Sequence, residues 1–146
     1  MPHRLGSDLL DLVARINVCV HDDHRVARDL MKPTIVRSLA AQRPDFFTFA
    51  TAGLSVPPAL ARHLEGLSYA YDPRPFQEAA SLVPDEFVDA VTLAGPPDEV
   101  AAGVIRLGRR GIKQFMLYPM SPDGRIETTM ERFQLEVMPA VRAAGL

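Results

Sequence analysis

Apolar positions along this chain change period several times, and each change predicts an element. From Val13 to Val20 they alternate. Ile16, Val18 and Val20 fall on one side of an extended chain, and Arg15, Asn17 and Cys19 on the other. The run is rich in β-branched residues and predicts a strand. From about Asp23 the spacing becomes helical, with Val26, Ala27, Leu30 and Met31 recurring on one stripe. Asp22 and Asp23 supply N-cap chemistry and negative charge for the positive end of that helix. Pro33 either starts a second segment or kinks a longer helix that runs to about Ala41.

Between Arg43 and Val83, Pro44, Gly53, Pro57, Pro58, Gly66, Pro73 and Pro75 interrupt every apolar run. Short helices are the expected content. Phe46, Phe47, Phe49, Leu54, Leu60 and Leu64 would supply their buried faces. Tyr69, Tyr71, Asp72 and Arg74 are left on a turn-rich stretch between two of them. So long an excursion is unusual for a plain connection, and long insertions tend to be lids or binding loops.

After the insertion the pattern is regular. Pro84-Asp85-Glu86 opens a short helix through Phe87, Val88 and Val91, with proline and acids suited to a helix start. A strand from Thr92 to Ala94 leads into the Gly95-Pro96-Pro97 turn. Asp98 and Glu99 begin another helix, whose buried stripe is Val100, Val104, Ile105 and Leu107. Gly111 ends it as a left-handed cap. Ile112 to Tyr118 is nearly continuously apolar, as a strand covered on both faces would be. A last helix, Glu127 to about Ala143, places Met130, Phe133, Leu135, Val137 and Val141 inward, with Pro139 as a kink or the start of its final turn. Strands and helices in this order are the βαβ pattern of a parallel sheet. The organisation predicted is one partial domain over 1–146, with a strand-helix unit at 1–42, a helical insertion at 43–83 and a closing βαβα unit at 84–146.

Composition narrows the function classes. The chain has 146 residues, a formal net charge of -2, 47% hydrophobic and 23% charged residues, enough for one domain with a core. With no basic block, there is no electrostatic footprint for nucleic acid or an anionic membrane surface. No run approaches the roughly 18 apolar residues of a spanning helix, and the N-terminus lacks the apolar stretch of a signal peptide, so a cytoplasmic location is expected. The one cysteine, Cys19, lies within an apolar run and reads as a buried inert thiol rather than a nucleophile. No Ser-His-Asp set, paired-carboxylate spacing, P-loop or GxGxxG is present.

Several stretches together carry a family resemblance. Val91-Thr92-Leu93-Ala94-Gly95-Pro96-Pro97-Asp98-Glu99-Val100, Gly111-Ile112-Lys113-Gln114-Phe115-Met116-Leu117-Tyr118-Pro119 and Glu136-Val137-Met138-Pro139-Ala140-Val141-Arg142 resemble the seventh strand with its helix, the eighth strand and the closing helix of the luciferase-like monooxygenase family. That family includes F420-dependent methylenetetrahydromethanopterin reductases and FMN-dependent relatives. Ile16 to Asp23 with Ala27 is similar to the family's sixth strand and acidic turn. Tyr71-Asp72 and Val83 to Asp89 are similar to the stretch before strand seven in the reductase-like branch. Pro96 departs from the hydroxyl residue often found at its position.

The resemblance implies an α/β fold that is the C-terminal portion of a (β/α)8 TIM-type barrel, about its last three strands, with a helical insertion. It implies an oxidoreductase that transfers hydride to or from a small-molecule substrate, with F420, or alternatively FMN, as redox cofactor. The stretch from Tyr71 to Asp89 favours F420. A whole barrel needs eight strands and about 250 residues. The family residues nearest the reactive ring come from earlier strands and have no counterparts here. If Met1 is the start, the sheet edges must pair with another copy or with a partner carrying the first part of a barrel. A truncated, non-catalytic relative serving as an oligomeric binding or assembly subunit is the competing expectation. Another phosphate-binding barrel fits the element pattern but not the local wording.

Barrel active sites lie at the C-terminal ends of the strands, which here are His21, Gly95 with Pro96, and Tyr118 with Pro119. Gly95 is a cofactor contact or a turn glycine needed for its backbone angles, and Asp98 and Glu99 would repel an anion at the following helix start. His21, beside Asp22, Asp23 and His24, is a cofactor contact or a solvated helix start, and a metal there lacks a spaced third ligand. Tyr118 meets a ring at the pocket mouth or closes the barrel top. Tyr71 and Asp72 are lid residues or a structural turn.

Overall fold

A computed structural model of the protein describes residues 11–67 and 72–146. Its first strand, β1 (Leu12–Val20), is followed by the long helix α1 (His24–Ala41). Asp23 caps that helix, its carboxylate accepting from the N–H groups of Arg25 and Val26 at 2.9 and 3.3 Å. Pro33 lies inside α1 without dividing it. The insertion is helical as expected, with α2 (Phe47–Thr51), α3 (Pro58–Glu65) and α4 (Arg74–Ala79), then a 3-10 turn at Ala80–Leu82. Arg43 ties it to α1: its guanidinium donates to the carbonyls of Leu64, Glu65 and Leu67 at the end of α3 and to that of Ala40.

Next come α5 (Asp85–Val91), β2 (Thr92–Gly95), α6 (Pro97–Arg109) and β3 (Ile112–Pro119). Gly111 takes φ +95° between α6 and β3, the left-handed turn its position predicted. The final helix is interrupted. A π turn at Phe133–Val137 separates α7 (Ile126–Arg132) from α8 (Met138–Ala143). Pro139 explains the break, since it has no N–H for the Leu135 carbonyl four residues earlier and a wider turn absorbs the missing bond.

All three strands are parallel, in the order β2-β1-β3. This corrects the reading of successive barrel strands six, seven and eight, because successive strands would lie in chain order with β2 in the middle. The central strand is β1. The four residues of β2 pair with Asn17 to Val20, and β3 pairs along almost the whole other edge of β1.

Two cores lie on opposite sides of this sheet. Val18, Val20 and Leu93 pack with Val100 and Val104 of α6 and with Phe133, Val137 and Val141. Cys19 joins the other core, with Met31, Ile35 and Leu39 of α1 and with Phe49, Leu60, Phe76 and Phe87 of the insertion and α5. The Phe49 and Phe87 rings stack with centroids 5.1 Å apart. The second core covers only the C-terminal end of the sheet. Val13, Met116 and Tyr118 are exposed, so β3 is covered on one face and not on two as its apolar run suggested. Val26, Phe47, Met130 and Leu135, expected inward, are also exposed. Each sits where its helix faces solvent, a packing outcome that local periodicity does not see.

The two aromatic fates give a direct check. Phe87→Ala, at 0% exposure, is expected to lower the unfolding free energy by about 3–5 kcal/mol through lost burial and a cavity. Phe47→Ala, at 72% exposure, should change it by no more than about 0.5 kcal/mol. Urea unfolding followed by circular dichroism distinguishes them; equal losses would contradict the packing described.

Candidate functional site

The C-terminal ends of the strands gather two of the expected residues. The His21 N–H donates to the Gly95 carbonyl at 2.9 Å, extending the β1–β2 ladder one step beyond the strands. The His21 ring is used locally, its Nδ1 accepting from the Asp23 N–H at 3.1 Å. Gly95 has φ +149°, a conformation that side chains rarely adopt, and a Cβ there would sit 3.2 Å from both Glu99 Oε2 and His24 Cδ2. The backbone angle calls for glycine there, and a Cβ would also press on the ends of two side chains.

Tyr118 lies apart from this pair. It sits opposite Asn17 on β3, its ring beneath the Arg15 guanidinium at 4.6 Å and its hydroxyl 3.5 Å from the Met116 sulfur. Arg15, Asn17, Gln114, Met116 and Tyr118 share the uncovered sheet face by the alternation of side chains. Tyr71 lies outside the described residues. Asp72 accepts from the Arg74 backbone N–H at 3.0 Å and from its guanidinium at 2.7 Å. The Arg74 hydrogen bonds hold the Asp72 carboxyl below its ordinary range, and the pair closes the turn into α4.

Beside Gly95, a cleft of about 330 Å³ opens along the outer edge of β2, with His24, Arg28, Asp89, Glu99 and Arg106 on its walls. Its charges are organised by α1. His24 Nδ1 lies 3.1 Å from Glu99 and Nε2 3.9 Å from Asp89. Arg28 makes two bonds to Asp89 at 2.9 and 2.6 Å, and Lys32 lies 2.9 Å from both Asp29 and Asp85. The Lys32 hydrogen bond lowers the Asp85 carboxyl, and the Asp89 hydrogen bond raises Arg28. Arg28, Asp89 and Arg106 are residues that sequence reasoning did not single out. A signal was there, since His24, Arg28 and Lys32 recur every fourth residue, as do Asp85 and Asp89.

Another arginine spans the end of β1. Arg132 of α7 reaches the Val20 carbonyl at 3.4 Å and the carboxylates of Asp22 and Glu136, each at 2.6 Å. Cys19 is fully buried, and burial pushes its thiol up against the opposing pull of a Thr129 hydrogen bond and the Arg132 charge. A thiol so placed is inert. Among the described residues, no three side chains gather in a metal-binding group. No described helix is long and apolar enough to cross a membrane.

What these observations define is a parallel α/β protein with mixed charge and a glycine turn at the C-terminal ends of its strands, beside a polar, uncovered sheet face. The chain belongs to the luciferase-like monooxygenase family, whose sequence model matches residues 3–114. Among solved structures it is similar in fold to the coenzyme F420 dependent tetrahydromethanopterin reductase from Methanopyrus kandleri. That likeness has a TM-score of 0.68 at 22% identity, over 92% of this chain and 36% of the other. This chain therefore spans little more than a third of that protein's length. No curated protein matches it.

The loop after β3 offers a pH test. Asp123 accepts hydrogen bonds from Ser121, from the Arg125 backbone N–H and from the Thr128 hydroxyl, which together lower its carboxyl to about 2. A depressed carboxyl stabilises the fold fully above its ordinary value of 3.8 and loses that contribution as pH falls through about 2. An NMR titration should find the Asp123 midpoint near 2, and Asp123→Asn should remove that part of the acid dependence of stability. A midpoint near 4 would contradict the bonding.

Proposed function

We propose that this chain is a segment of a hydride-transferring oxidoreductase, with F420 as redox cofactor, FMN as the alternative, and a small molecule as substrate. Membership of the luciferase-like family is the observation that carries this reading. The likeness in fold to an F420-dependent reductase favours F420. In this reading the fold is part of a barrel in which β1 and β3 are neighbouring strands. The helices behind Val18 and Leu117 lie outside, and the face of Arg15, Asn17 and Tyr118 lines the interior, with α1 and the insertion over its C-terminal end.

The expected contacts fall in two places, the Gly95–His21 pair where β1 meets β2 and Tyr118 on β3. Gly95 offers bare backbone with the side chains of Glu99 and His24 close by, and Tyr118 offers the aromatic face that Arg15 leaves uncovered. The bound cofactor would supply the hydride chemistry. The chain's own task is to place and enclose it: Gly95 and His21 at the β1–β2 end, Tyr118 from β3, and Tyr71 with Asp72 as the insertion's contribution to a lid. Arg28 and His24 fix α1 against α5 and α6 and so hold the glycine turn in place.

Titrating the purified chain with F420, followed by cofactor fluorescence, should give saturable binding. Gly95→Val should weaken it ~10-fold or more and Tyr118→Ala about fivefold, the latter equivalent to roughly 1 kcal/mol of ring contact. FMN should bind less tightly. Absence of binding with both cofactors would overturn the reading and favour the non-catalytic subunit.

A further inference from the structure

On the β3 side of β1 the last rung of the ladder is the Met120 N–H, which donates to the Val18 carbonyl at 2.8 Å. Backbone groups alternate in direction along a strand, so the next carbonyl on that side belongs to Val20. β3 has already ended at Pro119, and an arginine supplies the donor in its place. Arg132 Nη1 donates to the Val20 carbonyl at 3.4 Å. On the opposite side the His21 N–H reaches the Gly95 carbonyl at 2.9 Å. The end of β1 is thus held by a strand on one side and a side chain on the other.

The same guanidinium takes hold of the chain again one residue beyond His21. Its Nη2 donates to Asp22 Oδ1 at 2.6 Å, so Arg132 grips the residues on both sides of His21. The His21 ring follows that turn, because its Nδ1 accepts from the Asp23 N–H. Arg132 is anchored from behind by Glu136, to which Nε and Nη2 donate at 2.6 and 2.9 Å. Glu136 lies inside the π turn, whose end residues Phe133 and Val137 are buried against the sheet. Such turns recur at functional sites. The Arg132 hydrogen bonds hold the Asp22 and Glu136 carboxyls below their ordinary range, which keeps both charged as partners.

Stability is a poor reason for this arrangement, since the Asp22 side chain is 82% exposed and ion pairs in water add little to a fold. Orientation is a better one. A planar guanidinium presents donors in a fixed fork and can meet the Val20 carbonyl and two carboxylates at once, whereas an ammonium on a flexible stem has no such fork.

We propose that Arg132 is a positioning residue for the cofactor site, fixing Val20 to Asp22 as an extension of β1 and so setting His21 against Gly95. This rests on the reading above, in which His21 and Gly95 are cofactor contacts.

Arg132→Lys keeps the charge and removes the fork. Two measurements on it decide the matter: F420 titration followed by cofactor fluorescence, and amide hydrogen exchange of the cofactor-free chain. The dissociation constant should rise ~10-fold, and the His21 amide should exchange ~10-fold faster or more, while Cys19 in the same strand exchanges as in the wild type. Where Arg132→Lys does not fold, Asp22→Asn removes one of the two grips at an exposed position and should raise both quantities about threefold. Faster exchange at Cys19 and His21 alike marks a general loss of stability and overturns the positioning role. So does a change in only one of the two readouts, or in neither, when the wild type binds F420; the cofactor reading then stands. Absence of F420 binding by the wild-type chain strikes that reading first and takes this proposal with it.

Discussion

Hydrogen bonding on both edges of β1 is the constraint on which the rest depends. The groups of Val18 and of the even-numbered residues before it serve β3, and those of Cys19 and His21 serve β2. The strand's two faces seed the two cores, Val18 and Val20 on one side and Cys19 on the other. A strand fixed in this way leaves little freedom to α1, which follows after a link of three residues, or to α6, whose Gly103 lets the helix approach Leu93 of β2 so closely that a Cβ would fall 2.4 Å from that side chain.

Around that centre, charge does the orienting and apolar burial supplies the stability. The ladder from Glu99 through His24, Asp89, Arg28 and Asp85 to Lys32 joins α1, α5 and α6 across half-exposed surface, where each pair contributes at most about 1 kcal/mol. Its effect is one of register, aligning three helices so that the Gly95 turn falls beside His24. The stacked Phe49 and Phe87 rings and the wholly buried Met31, Ile35 and Leu39 carry the larger energetic share.

Much of this was legible in the chain. The alternation of Ile16, Val18 and Val20, the Asp23 cap, the Pro84-Asp85-Glu86 start and the Gly111 cap each correspond to an observed feature, because each is a local matter of backbone geometry and solvation. Sheet order was not legible. The apolar run of β3 looks alike whether one face is covered or two, and pairing is settled by contacts about 75 to 100 residues apart in sequence. The site was half legible for the same reason. His21 and Gly95 mark strand ends and meet there, whereas the Arg15–Tyr118 stack and the Arg132 clamp depend on which strands become neighbours.

Amide hydrogen exchange resolved by residue tests this arrangement most directly, because a central strand has every amide bonded and an edge strand only every second one. The account predicts slow exchange at Val18 and Cys19 alike, with Leu93 and Gly95 protected and Ala94 between them exchanging fast. Alternating protection in β1, with β2 protected throughout, would put β2 in the middle of the sheet and contradict the order on which the fold, the glycine turn and the uncovered face all rest.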